Sequence, residues 1–91
     1  MNLPAIGSEV LAGPVVWILS TGEFGEGGTI KGVFLDRELA RGALVEEAQK
    51  LHERFTISDA GQKADGSLFV EGGCDWIALE PHQVTTAAQL D

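Results

Sequence analysis

Residues 36–55 read DRELARGALVEEAQKLHERF, and this stretch decides the fold. Apolar side chains recur in it at spacings of three to five residues, which predicts an amphipathic helix from about Arg37 to His52 or Arg54. The predicted apolar stripe comprises Leu39, Ala43, Leu44, Ala48, Leu51 and Phe55. Asp36 is the predicted N-cap, because its carboxylate can accept hydrogen bonds from the free N–H groups of the first turn.

Gly42 lies inside this helix, where it costs about 1 kcal/mol relative to alanine. Its missing side chain predicts that a neighbouring element approaches closely. Burial of Leu39, Leu44 and Leu51 would contribute roughly 1.5–3 kcal/mol each and so offset the cost. The helix is therefore expected to owe its stability to packing against another layer.

Two strands are predicted before the helix. Residues 15–19 (VVWIL) are apolar on both faces, as in a central strand whose two sides are covered. Residues 29–35 form the second strand, with Ile30 and Phe34 expected on one face and Gly32 marking a bulge or a close backbone contact. Both strands lie close in sequence, which favours a hairpin.

Residues 21–28 (TGEFGEGG) separate these strands and contain four glycines, which predicts the wide loop of the hairpin. A phosphate-binding P-loop is not expected there, because such a loop ends in Lys-Ser or Lys-Thr at the start of a helix. Here the glycines lead into a strand, and Glu23 and Glu26 would repel phosphate.

Three further strands are predicted after the helix, at residues 55–58, 67–71 and 74–79. Asp65-Gly66 and Gly72-Gly73 are the turns between them. Pro81 is expected to end the last strand.

The predicted order is therefore β-β-α-β-β-β, an α+β fold in which one helix packs on one face of an antiparallel sheet of four to five strands. Residues 14–80 form the single domain. Residues 1–13 are expected to be a poorly ordered arm or an edge, and residues 81–91 a flexible tail.

Charge and cysteine content narrow the possible partners. Fourteen acidic and six basic residues give a net charge of −8, which disfavours binding to nucleic acid or to anionic membranes. Cys74 is the single cysteine and cannot form an internal disulfide, which indicates a reducing compartment, the cytoplasm. No stretch of the sequence approaches the length of an apolar membrane span.

The sequence contains no recognisable metal-binding or catalytic motif. Asp59, Asp65 and Glu71 lie near one another in sequence but lack the spacing of a calcium loop. The potential zinc ligands Cys74, His52 and His82 form no Cys-x-x-Cys or His-x-x-x-His pair. No spacing brings either histidine to Cys74 as a catalytic base, so we expect neither an enzyme nor a cofactor.

Several segments resemble a group of short uncharacterised bacterial and phage-encoded domains. The matching segments are Val16–Leu19, Ile30–Asp36 with its Lys-x-Gly-Val-aromatic pattern, the helix with Ala40, and the late Trp76. The resemblance covers about residues 15–80 and implies the β-β-α-β order. It implies no activity, and the residues 22–28 and the acidic balance are not part of its pattern.

One helix can cover only part of such a sheet, so the uncovered face is expected to meet a protein partner or a second copy of the chain. Trp17, Phe24 and Trp76 are the candidate interface residues, since tryptophan and other aromatic side chains are enriched in interfaces. The favoured hypothesis is a small non-catalytic interaction or accessory domain that self-associates through the sheet. The alternatives are an acidic inhibitor or immunity-like protein that binds a basic partner, and a small-ligand binder that uses the glycine-rich loop.

Overall fold

The computed structural model describes residues 12–85 and forms one five-stranded antiparallel sheet with one helix. The elements are β1 (Ala12–Glu23), β2 (Gly28–Phe34), α1 (Arg37–Arg54), β3 (Ile57–Gln62), β4 (Leu68–Gly72) and β5 (Asp75–Thr85). The strand order in the sheet is β2-β1-β5-β4-β3. The predicted α+β class and the β-β-α-β-β-β order are confirmed.

The helix begins where the sequence predicts it. Asp36 Oδ1 accepts hydrogen bonds from the N–H of Glu38 at 2.7 Å and of Leu39 at 3.3 Å. The helix ends at Arg54, and the N–H of Phe55 still donates to the carbonyl of Leu51. No helix in residues 12–85 combines the length and apolarity that a bilayer crossing requires.

The helix leads the chain from one edge of the sheet to the other. It follows β2 at one edge and precedes β3 at the opposite edge. Five strands at their usual spacing of about 4.8 Å make a sheet of about 20 Å from first to last strand, and a helix of 18 residues is about 27 Å long. One helix therefore reaches across a single face of the sheet.

The core lies between this helix and the sheet. Its buried residues are Leu19, Ala40, Leu44, Leu51, Val70, Ile77 and Leu79. The predicted burial of Leu39 is wrong: its side chain is 67% exposed, and Ala40 takes the core position one turn before Leu44. The close approach predicted at Gly42 is also absent, since no side chain or neighbouring backbone among the described residues lies within 4 Å of a Cβ built there.

A bulge in β2 changes which side chains share a face. Leu19 of β1 pairs with Gly32, but the next residue, Ser20, pairs with Ile30, so Lys31 is an extra residue. The bulge predicted near Gly32 is confirmed. The shared face predicted for Ile30 and Phe34 is wrong, because the extra residue reverses the alternation between them.

The hairpin between β1 and β2 is tighter than predicted. β1 continues to Glu23 and β2 starts at Gly28, so the connecting loop contains only residues 24–27. At the other turns, Gly66 (φ 90°) and Gly73 (φ 60°) adopt the left-handed conformation that glycine tolerates best. The turns predicted at Asp65-Gly66 and Gly72-Gly73 are confirmed.

The last strand does not end at Pro81, as predicted, but runs to Thr85. Its pairing with β4 stops at Leu79, whereas its pairing with β1 continues. Pro81 therefore lies where β5 has a neighbour on one side only, and a residue without an N–H is tolerated there. The predicted arm and tail fall largely on residues 1–11 and 86–91, which lie outside the described residues.

Candidate functional site

The side of the sheet opposite α1, called here the open face, is the main candidate for function. Leu19 and Ile77 point toward the helix, so their neighbours Ile18 and Trp76 point to the open face. In the described part of the chain no helix or strand lies over this face. The two sides of the sheet are therefore covered unequally.

Apolar side chains are exposed on and beside the open face. Pairing registers place Val16, Ile18, Ile30, Val33, Phe69, Trp76 and Ala78 on it. Ile30 is 62% and Val33 58% exposed, and Phe24, in the loop between β1 and β2, is 54% exposed. Exposed apolar side chains on a face without a helix make it a candidate surface for interaction.

Trp76 crosses two neighbouring strands on the open face. A Cβ built on Gly22 of β1 would lie 2.6 Å from the indole Cζ2, and one built on Gly28 of β2 would lie 2.6 Å from Cη2. Gly22 and Gly28 are themselves a cross-strand pair. These two glycines of the predicted loop therefore lie in strands, where their missing side chains make room for the indole.

Phe69 of β4 leans the opposite way. Its ring lies over Gly61 of β3, where a Cβ would come within 2.9 Å of Cε1. β5 and β4 are neighbouring strands, and the side chains of Trp76 and Phe69 on them thus point away from each other. A cavity of about 410 Å³ on this part of the face is lined by both rings, with Phe24 and Ala78 also contributing.

Two carboxylates lie at the same cavity. Asp59 of β3 and Glu71 of β4 are direct cross-strand partners, and both line the cavity with Lys63. Asp59 Oδ1 accepts from the N–H of Ala60 at 2.9 Å. Within residues 12–85 neither carboxylate forms an ion pair, and neither does Lys63. The cavity, called here the open-face cavity, thus combines three aromatic rings with two unpaired acids.

The structure separates the three predicted interface residues. Phe24 and Trp76 meet at the open-face cavity. Trp17 lies on the helix side, where the Arg37 guanidinium carbon is 5.3 Å from the ring centroid and Arg37 Nη2 donates to the carbonyl of Gly66 at 3.1 Å. Trp17 packs against the core from there.

A second cavity, also about 410 Å³, lies on the helix side near the end of α1. Four of its six charged side chains form ion pairs: Lys50 Nζ lies 3.2 Å from Glu47, and Arg54 Nη2 lies 3.1 Å from Asp75. The other two, Glu23 and Lys31, carry opposite charges. These pairs leave less uncompensated charge for a ligand than the acids of the open-face cavity do.

Glu23, Cys74 and Asp75 form a cluster at the turn between β4 and β5, with ligand-type atoms all within 4.8 Å of one another. Both Asp75 oxygens already have partners: the Cys74 thiol donates to Oδ1 at 3.6 Å and Arg54 to Oδ2 at 3.1 Å. Partial desolvation, the Asp75 carboxylate and the charge of Glu23 raise the pKa of the Cys74 thiol. The cluster is a hydrogen-bonded ion pair beside a protonated thiol.

The three acidic residues that were candidates for a calcium loop do not lie together in the structure. Asp59 and Glu71 face each other on the sheet, whereas Asp65 lies in the turn before β4. Hydrogen bonds from the hydroxyl and N–H of Ser67 lower the pKa of Asp65, and the N–H bond is 2.8 Å long. Asp65 therefore stabilises the turn.

Three residues of the open-face cavity were not among the predicted interface residues: Asp59, Phe69 and Glu71. The sequence signal that points to them is the predicted turn at Asp65-Gly66, because a turn sets the register of the strands on either side of it. In the turn at Asp65-Gly66, the backbone N–H of Lys63 donates to the carbonyl of Ser67 at 2.9 Å. Counting outward from that pair places Phe69 opposite Gly61, and Glu71 opposite Asp59.

The chain matches no protein-family model, no curated protein and no solved structure. The open face itself is therefore the basis for inferring a function.

Proposed function

We propose that this chain is a non-catalytic interaction domain that binds another protein through the open face of its sheet. The observation that carries the proposal is the exposure of Ile30 and Val33 on the face that α1 does not cover. Burial of a Val or Ile side chain is worth about 1.5–3 kcal/mol, so a partner that covers these residues gains binding energy.

A partner protein is favoured over a second copy by the acids on this face. Asp59, Glu71 and Glu80 all point to it. In a two-fold dimer the same patch meets itself, which would bring these carboxylates toward one another. A basic partner gains from the same charges.

A basic partner is favoured by the acids of the open face and not by the net charge of −8. Acidic residues also lie on the helix, such as Glu38 and Glu46, and in the turns, such as Glu26 and Asp65. The acids of the described residues are not confined to one patch. The proposed partner is therefore recognised by the exposed Ile30 and Val33 together with the open-face cavity. Inhibition of a basic enzyme is one role that such binding could serve.

The proposed lack of catalysis is supported by the state of Cys74. Nucleophilic cysteines have lowered pKa values, and this thiol has a raised one. His82 Nε2 lies 3.9 Å from Glu80 and not beside the thiol. An exposed free thiol also suits the reducing cytoplasm, which we propose as the location.

Site-specific photo-cross-linking tests this function. A photoreactive amino acid replaces Val33 on the open face in one variant and Leu39 on α1 in the other; these side chains are 58% and 67% exposed. The expected result in cells is one discrete adduct from position 33, whose cross-linked partner peptide carries basic residues. An adduct of twice the chain's mass would show that the partner is a second copy of the chain. Adducts from position 39 alone would contradict the proposal.

A further inference from the structure

The cross-strand pair of Asp59 and Glu71 is unfavourable as it stands. Like charges directly opposite each other in a sheet repel and destabilise the strand pair. Within residues 12–85 no lysine, arginine or histidine forms an ion pair with either one. A cation bound between them would remove this repulsion.

The walls of the open-face cavity indicate an organic cation and not a metal ion. Calcium takes six to eight oxygen ligands, and two side-chain carboxylates provide too few. The cavity is lined instead by the aromatic side chains of Phe24, Phe69 and Trp76. The face of an aromatic ring attracts an organic cation, and such rings around a cavity bind ammonium and guanidinium groups.

The shape of the cavity follows from three small residues. Gly22 and Gly61 let Trp76 and Phe69 lean in opposite directions, over β1 and β3. Ala78, the cross-strand partner of Phe69, keeps the space between them unfilled. The volume of about 410 Å³ accommodates a long side chain from a partner.

We propose that the open-face cavity binds the guanidinium group of an arginine on the partner protein; this rests on the proposed function of the open face. The planar guanidinium stacks on aromatic faces and donates in a fork that matches a carboxylate. Asp59 and Glu71 accept its hydrogen bonds, while one of its planes stacks on an aromatic ring of the cavity wall. The point charge of a lysine ammonium gains less from flat ring walls.

Lys63 opposes this binding, because it lines the same cavity and its side chain carries the ligand's sign of charge. Its presence gives the test a variant of opposite effect. Neutralising Lys63 strengthens arginine binding, whereas neutralising Asp59 or Glu71 weakens it. A merely structural role for these residues would not reverse sign in this way.

The probe is N-acetyl-arginine amide, added to the ¹⁵N-labelled full chain and followed by NMR. The matched control is N-acetyl-citrulline amide, which has nearly the same shape and no charge. The expected result is saturable binding in the millimolar range, with the largest shifts at the Trp76 indole N–H and the amides of Phe69 and Ala78. Citrulline amide binds at least fivefold more weakly.

Four variants resolve the contributions of charge and space. Asp59→Asn and Glu71→Gln each weaken binding severalfold, and each raises the urea midpoint of unfolding of the free chain, because the repulsion between the carboxylates is gone. Lys63→Gln tightens binding severalfold. Ala78→Val narrows the space between the two rings without a charge change and weakens binding severalfold, while a valine opposite Phe69 suits the strand.

The proposal is overturned if arginine amide gives no saturable shifts, if citrulline amide binds equally well, or if the shifts centre on α1. The photo-cross-linking experiment keeps the two proposals apart. An adduct from position 33 without arginine binding preserves the interaction domain and removes the arginine site. Arginine binding without any adduct from position 33 preserves the arginine site and removes the protein-binding function.

Discussion

The indole of Trp76 on β5 lies across Gly22 on β1, and its Cζ2 is 2.6 Å from the place that a Gly22 Cβ would occupy. A side chain at position 22 would therefore force the indole out of its position. We expect Gly22→Ala to destabilise the chain by about 1–3 kcal/mol, the usual cost of overpacking. Urea unfolding measures the loss, and tryptophan fluorescence reports the displaced ring.

Gly27→Ala is the matched control, because nothing lies within 4 Å of a Cβ at position 27 and its φ is not in the left-handed region. It should leave both the stability and the emission spectrum nearly unchanged. Equal effects of the two substitutions would show that Trp76 does not need the space above Gly22.

The two leucines Leu51 and Leu39 of α1 should respond very differently to truncation. Leu51 is 2% exposed in the core, so Leu51→Ala should cost about 2–5 kcal/mol through lost burial and a residual cavity. Leu39 is 67% exposed, so Leu39→Ala should change stability by less than about 0.5 kcal/mol. The free energy of unfolding in urea gives both values, and comparable losses would mean that the helix packs on the face predicted from its sequence stripe.

Asp65 should make stability depend on acid pH. Its folded pKa lies below the ordinary value of 3.8, so its ionised form is favoured in the folded chain. The resulting stability is present above the unfolded pKa and is lost as pH falls through the folded pKa. Asp65→Asn keeps an acceptor for the Ser67 N–H but removes the charge.

The free energy of unfolding of this variant should therefore lie below that of the original chain at neutral pH, and the two should converge as the pH falls below 3.8 and through the folded pKa of Asp65. Urea unfolding at a series of pH values measures the difference. A gap between the two chains that stays constant down to pH 2 would show that the charge of Asp65 does not contribute.

The features of the fold that the sequence predicts correctly are those set by local chemistry. The Asp36 cap and the Asp65-Gly66 turn depend on bonds within a few residues, and both occur where expected. The short connections between strands likewise predict antiparallel neighbours. Local rules therefore suffice for the element order.

The features that the sequence does not predict depend on the sheet as a whole. The Leu39 error arose because residues at spacings of three to five can outline more than one stripe, and contact with the sheet selects Ala40, Leu44 and Leu51. Ile30 lies on the face opposite to the predicted one, because the bulge residue Lys31 reverses the alternation of side chains along β2. Which strands lie beside each other decides these points, and that is not a local property.

The candidate site, like the fold, has features that residue type predicts and features that only the assembled sheet decides. Phe24 and Trp76 were singled out for their residue type, and the structure brings them to one cavity. The pairing of Asp59 with Glu71 depends on the register of β3 and β4, which residue type alone does not reveal. The role of Phe24 and Trp76 in an interface stays a prediction. The resemblance to short bacterial and phage-encoded domains also stays a prediction.

The most direct test of the open face as the binding surface is the affinity of two matched variants for the cross-linked partner, measured by calorimetry. Ile30→Gln and Leu39→Gln make similar changes at side chains that are 62% and 67% exposed on opposite sides of the molecule. We predict that Ile30→Gln weakens binding about tenfold, the equivalent of about 1.4 kcal/mol, and that Leu39→Gln leaves it within about twofold. Unchanged affinity for Ile30→Gln, with a loss for Leu39→Gln, would contradict a binding site on the open face.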